Sequence, residues 1–205
     1  MKKIIGILVS MLLFFSMLSI NVMAGNEQNP EIEDETEDNI ADFLDIISAW
    51  FYENPDEPEF LFVSLKLKEI TNLRFKQHLT IHWTHNDIEC AAGMYIGYGT
   101  PWMGFSAGWG HGWWFQEHYV EITGEYNLDT DIFTCKIPKE VINNPKQGDI
   151  LTNTYALTFQ RFGFIGRLGF DRIFLPFFIH LFTDKWIGDY APADDEYGRD
   201  YTKQY

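Results

Sequence analysis

Cysteine is scarce in this chain of 205 residues, where Cys90 and Cys135 are the only two. No paired Cys or Cys/His spacing of the structural zinc kind is present and no H-E-x-x-H occurs, so the sequence offers no ready transition-metal motif. Basic residues are few as well. Fifteen Lys and Arg face 30 Asp and Glu, a formal net charge of −15 at pH 7. A polyanion would be repelled and would find no basic stripe for its phosphates, which argues against nucleic acid as a partner. A third absence is one of period. No long segment repeats its apolar residues every 3.6 positions, which leaves helix a minor role.

What is present starts with Lys2 and Lys3, the apolar run "IIGILVSMLLFFSMLSI", and "NVMAGN", with Val22 and Ala24 at small-residue positions. This pattern predicts a signal peptide over residues 1–24, cut after Ala24, and a secreted or cell-surface product. The run is long enough that an uncleaved membrane anchor is the alternative. Cleavage removes two lysines and no acid, leaving 13 basic side chains against 30 acidic ones and a net charge of −17. The next stretch, "GNEQNPEIEDETEDN", carries seven carboxylates and no basic or aromatic residue. It is expected to be a disordered acidic linker over 25–40, because it has too little apolar area to offset its ordering entropy. Residues 41–205 then have the size of a single domain.

Strands are legible in the alternation. "FLFVSLKLK" sets Leu61, Val63, Leu65 and Leu67 against Phe62, Ser64, Lys66 and Lys68. "IISAWFY" is joined to it through the turn chemistry of "ENPDEPE", which predicts a hairpin. "FKQHLTIHW" returns through "THND" as "IECAAGMYIGY", and "HYVEITGEY" returns through "NLDTD" as "IFTCKIP". After a short helical turn beyond Pro138, "ILTNTYALTF" sets Leu151, Tyr155, Leu157 and Phe159 at even spacing. The pattern predicts an all-β fold, an antiparallel sandwich of jelly-roll or immunoglobulin-like type. The apolar segment 162–182, interrupted by Pro176 and flanked by Arg161, Arg167, Arg172 and Lys185, reads as a loop or short helix over one end. The other reading is a peripheral membrane contact.

"DFLDIISAWFYE", "FLFVSLKLKEI", "IFTCKIPKEVI" followed by "NPKQGDIL", and "DYAPADDEYGRDY" resemble the family-9 type carbohydrate-binding and DOMON-like β-sandwich domains of secreted archaeal and bacterial surface proteins. The resemblance implies a non-catalytic module. Some members grip sugar ends between tryptophans and carry structural calcium, and DOMON relatives bind haem or sugar.

The residues offer further candidates. "PWMGFSAGWGHGWW" spells G-x-S-x-G around Ser106, yet the glycines after it deny Ser106 the helix N-terminus that a nucleophile elbow needs, so no catalytic residue is expected. Trp102, Phe105, Trp109, Trp113 and Trp114 in the same stretch form a candidate ligand platform on a loop-like backbone, the competing reading being core or edge cover. His82 and His85 would share a face on a helix but not on a strand. Asp189, Asp194 and Asp195, near Glu196 and Asp200, suit calcium, against a plain solvated turn. Cys90 and Cys135 fall on the apolar phase of their strands, which in an exported protein predicts a disulfide. The function expected is binding of a carbohydrate or glycan through the aromatic patch, the competing class being a structural or protein-interaction domain of the cell surface whose ligand is a surface protein and not a small molecule.

Overall fold

A computed structural model describes residues 25–34, 42–70, 77–96, 103–110, 118–162, 185–192 and 196–205. The strands are β1 (Ile32–Glu33), β2 (Ile46–Tyr52), β3 (Phe60–Leu67), β4 (Gln77–His85), β5 (Ile88–Ile96), β6 (Met103–Gly110), β7 (His118–Asn127), β8 (Ile132–Pro138), β9 (Ile150–Phe162), β10 (Lys185–Ala191) and β11 (Tyr201–Thr202). A 3₁₀ turn spans Lys139–Ile142. The fold is all-β and antiparallel, as the alternation predicts. The strands run in one continuous curled sheet, in the order β1-β2-β3-β8-β7-β6-β5-β4-β9-β10, with β11 on β9.

Turn chemistry makes the hairpins. Asn86 and Asp87 both take left-handed φ, 50° and 63°, between β4 and β5. Two such residues in succession match the right-handed twist of the flanking strands. One strand is shared between two neighbours. β7 gives residues 118–122 to β6 and residues 123–127 to β8, so it turns the corner of the curl.

The two ends of the curl are sealed by side chains rather than by a ladder. On β9 the Thr158 hydroxyl donates to the Leu44 carbonyl (2.5 Å), and on β10 the Asp189 Oδ2 accepts from the Ile46 N–H (2.7 Å). Both satisfy backbone groups entering β2 that would otherwise be buried without partners, which costs about 1–3 kcal/mol per group.

Within the curl, Leu61, Val63 and Leu65 of β3, Leu79, Ile81 and Trp83 of β4, and Phe133, Cys135 and Ile137 of β8 are wholly buried. Phe51 meets Trp83 edge-on (5.5 Å) and stacks on Tyr201 (5.6 Å), so the carboxy-terminal segment closes the core. That segment is held by a buried charge cluster. Glu53 Oε1 lies 2.7 Å from Lys139 Nζ and 3.1 Å from Lys203 Nζ. Its Oε2 accepts from the Tyr201 hydroxyl and from the N–H groups of Gln204 and Tyr205.

Three expectations are corrected. Residues 25–34 are not a solvated spacer: Ile32 is wholly buried, and β1 pairs with β2 through Ile32 and Ala49. One apolar residue, aided by the Arg199 N–H that donates to the Glu31 carbonyl (2.7 Å), anchors what composition alone would leave in water. Residues 35–41 lie outside the described residues, as do 1–24.

The disulfide does not form. Cys90 and Cys135 are free and buried. Two strands separate them in the sheet, and the Cys90 thiol is aimed at the carbonyls of Ile88 and Ile142, 3.9 and 3.8 Å away.

The third correction concerns "MGFSAGWG", which is strand β6 and not a loop. Its glycines serve close approach. A Cβ on Gly108 would collide with the His118 carbonyl of β7, and one on Gly93 with the Leu79 carbonyl of β4.

Candidate functional site

Strand alternation decides which side chains face out. On β4, Leu79, Ile81 and Trp83 enter the core, so His78, Thr80 and His82 point away from it. On β9 the phase turns at Asn153, which takes a φ of 50° opposite a register shift between His82 and Thr84. Leu151 therefore enters the core, whereas beyond Asn153 the inward residues are Thr154, Ala156, Thr158 and Gln160. Tyr155, Leu157 and Phe159, the apolar side of that alternation, face outward.

The outer face is consequently rich in rings. His82 and Tyr155, cross-strand partners, stack at 4.5 Å and 9°, and His78 and Phe159 stack at 4.5 Å and 8°. Tyr190 of β10 stacks on Tyr155 (5.2 Å), and Tyr197 approaches the same ring at 6.2 Å. Further round the curl, the outward positions of β6 are Gly104, Ser106, Gly108 and Gly110. The Tyr95 ring occupies the space that a side chain on Gly104 would need, and the Tyr119 hydroxyl of β7 donates to the Ser106 Oγ. Five tyrosines thus share one face, with Tyr119 and Tyr197 52% and 57% exposed.

A carboxylate is set among them. Glu89 Oε1 accepts from the Tyr155 hydroxyl (2.8 Å) and lies 3.5 Å from His82 Nδ1. Burial holds the His82 imidazole below its ordinary range, against the pull of Glu89, so the ring is neutral at pH 7. Burial and the acceptor Glu89 raise the Tyr155 phenol, and burial pushes Tyr119 up to about 12. Tyr155 and Tyr119 are therefore hydroxyl donors over the physiological range. The arrangement offers flat apolar rings, phenolic hydroxyls and one carboxylate.

The residues picked from sequence are distributed otherwise. Phe105 and Trp109 sit on the inward phase of β6, half-buried against the core, and Trp109 stacks on His118 at 3.9 Å. Trp102, Trp113 and Trp114 lie outside the described residues. Ser106 is in mid-strand, 4% exposed, with no strand-turn-helix about it. His82 and His85 occupy opposite faces. The latter is buried and hydrogen-bonds Asp149 Oδ2 (3.0 Å). Asp189 is buried in β10 and bonds backbone N–H groups of Ile46 and Tyr190, while Asp194 and Asp195 lie outside the described residues. Among the described residues no group of three or more His, Cys, Asp or Glu is placed to hold a metal ion, and no helix is long and apolar enough to cross a membrane. The apolar segment lies outside the described residues from 163 to 182.

Compared with known proteins, the chain matches no protein-family model, no curated protein and no solved structure.

The tyrosine face went unread in the sequence although a signal for it was there. Tyr155, Leu157 and Phe159 alternate with Thr154, Thr158 and Gln160, and the pattern does not say which set faces in. The left-handed Asn153 is the residue that inverts it.

Proposed function

We propose that this chain is an exported, non-catalytic binding module whose ligand is a carbohydrate or glycan met by the outer tyrosine face. The observation that carries the reading is the cluster of Tyr155, Tyr190 and Tyr197 beside Glu89 on the outer surface of the sheet, with the exposed Tyr119 on the same outer phase further round the curl. Tyrosine supplies an apolar ring for the C–H face of a sugar and a hydroxyl for its rim, at little cost in side-chain entropy. A carboxylate beside such rings accepts from sugar hydroxyls. The signal-peptide pattern and the acidic mature charge agree with a role outside the cytoplasm.

The test is binding of soluble polysaccharides and a glycan array to the exported protein and to Tyr119→Ala and Tyr197→Ala. Both rings are more than half exposed. At least one substitution is expected to weaken binding by about 2 kcal/mol, as hot-spot aromatics do, with the unfolding midpoint little changed. Absence of binding to any glycan defeats the reading. A second reading, a protein-interaction domain of the cell surface, is favoured by β7, where Tyr119, Val120 and Tyr126 are exposed together with the adjoining Leu128. Partner loss in Val120→Asp with glycan binding intact would mark that reading.

A further inference from the structure

We propose that removal of residues 1–24 completes the fold by creating an ion pair, the new α-ammonium of Gly25 against the buried carboxylate of Glu31. The inference rests on the reading of a cut after Ala24.

The geometry is local. Asn26 and Asn29 exchange backbone hydrogen bonds of 3.4 and 3.0 Å, which turns the chain back on itself. Gly25 is thereby laid, buried, on the Glu31 side chain: a Cβ there would stand 2.5 Å from Oε1 and closer still to Oε2. Only glycine fits. With ordinary backbone dimensions, the Gly25 nitrogen is then within about 5 Å of the carboxylate.

Glu31 needs such a partner. It is 8% exposed, and its Oε2 accepts from the Phe51 N–H of β2 (2.9 Å). Among the described residues no cation bonds this carboxylate. Arg199 is near enough to act on its charge, but Nη1 donates to Asn29 Oδ1 (3.0 Å) and Nη2 to the Pro30 carbonyl. The other ionisable group facing it is the Tyr201 phenol, which is shared with Glu53 and brings no positive charge. While Gly25 is an internal residue its nitrogen is a neutral amide. Burial then holds the Glu31 carboxyl up at about 7, against the opposing pull of Phe51 and Arg199. Cleavage replaces that amide by an ammonium with a full charge and three donors.

The sign follows from linkage. In the unprocessed chain a raised carboxyl binds its proton more tightly when folded, so stability falls as pH rises from about 4.5 to about 7. In the processed chain that fall is abolished. The ion pair's contribution is instead lost at alkaline pH, as the ammonium deprotonates above the ordinary α-amino value of about 8.

The experiment takes the chain exported by its host, reads its amino terminus by intact mass, and compares it with the same chain Nα-acetylated at Gly25. Each is made with Glu31 and with Glu31→Gln. At pH 7 the free amine is expected to raise the folding equilibrium constant about tenfold or more over the acetylated form, with the difference gone in Glu31→Gln. An NMR titration of the Gly25 amine in the unsubstituted chain is expected to lie above 8, and it decides the matter should Glu31→Gln fail to fold. A mature terminus elsewhere than Gly25, equal stability of the two forms with Glu31 present, or an amine titrating at its ordinary value overturns the proposal.

Discussion

At the scale of single residues, the two thiols show how burial sets chemistry. Cys90 is wholly buried and its thiol is pushed up to about 12, and burial raises Cys135 as well. A thiol kept protonated and out of contact with solvent is a poor nucleophile and a poor redox partner in the folded chain. The expected outcome is two thiols titrated in the denatured, unreduced protein and none in the native one. An intact mass lower by two hydrogens would sink this assignment.

Among the elements, β6 is the most informative, because its sequence reads as glycine-spaced loop and its structure is a paired strand. Its glycines are where neighbouring backbones come closest, so Gly108→Ala drives a Cβ into the His118 carbonyl of β7. Overpacking against backbone cannot be relieved by a rotamer, and a cost of about 3 kcal/mol is expected. Trp109→Ala removes a half-buried ring from the inner face and is expected to cost about 2 kcal/mol, below the range of a fully buried tryptophan. Urea unfolding of the two variants checks both. If Trp109→Ala leaves stability unchanged and abolishes glycan binding, the ligand face lies on the inner side of β6 and the tyrosine face loses its role.

For the molecule as a whole, stability rests on ties between distant parts of the chain. Glu53 follows β2, Lys139 begins the turn after β8, and Lys203 follows β11, yet all three are buried in one cluster. Glu53→Ala would leave two buried cations facing each other with no acid between them, an expected loss of about 3–5 kcal/mol. Burial alone would raise the Glu53 carboxyl, but Lys139, the Gln204 N–H and Lys203 outweigh it and hold the group below its ordinary 4.5. A depressed carboxyl contributes its full stability above the unfolded value and loses it as pH falls through the folded one. Acid unfolding of the native chain is therefore expected to begin below about pH 4.5, and Glu53→Gln to flatten that limb. An identical acid limb in both proteins would show that the cluster does not govern it.

What the sequence determined by itself was local. Apolar alternation and hairpin turn signals together located β3, β4, β5, β7, β8 and most of β9, and β2, apolar on both faces, was placed by the turn that joins it to β3, because strand period and turn backbone are properties of a few consecutive residues. Tertiary structure decided which face of β9 is inside, because the inversion at Asn153 depends on its pairing with β4. It also decided that Cys90 and Cys135 stay apart, that Ile32 and Arg199 draw an acidic segment into the fold, and that tyrosines from β5, β7, β9 and β10 share a surface. Each of these depends on which strands lie side by side after the sheet has curled. That order is set by contacts between residues as far apart as Ile46 and Asp189, 143 positions, which no reading of neighbouring residues contains.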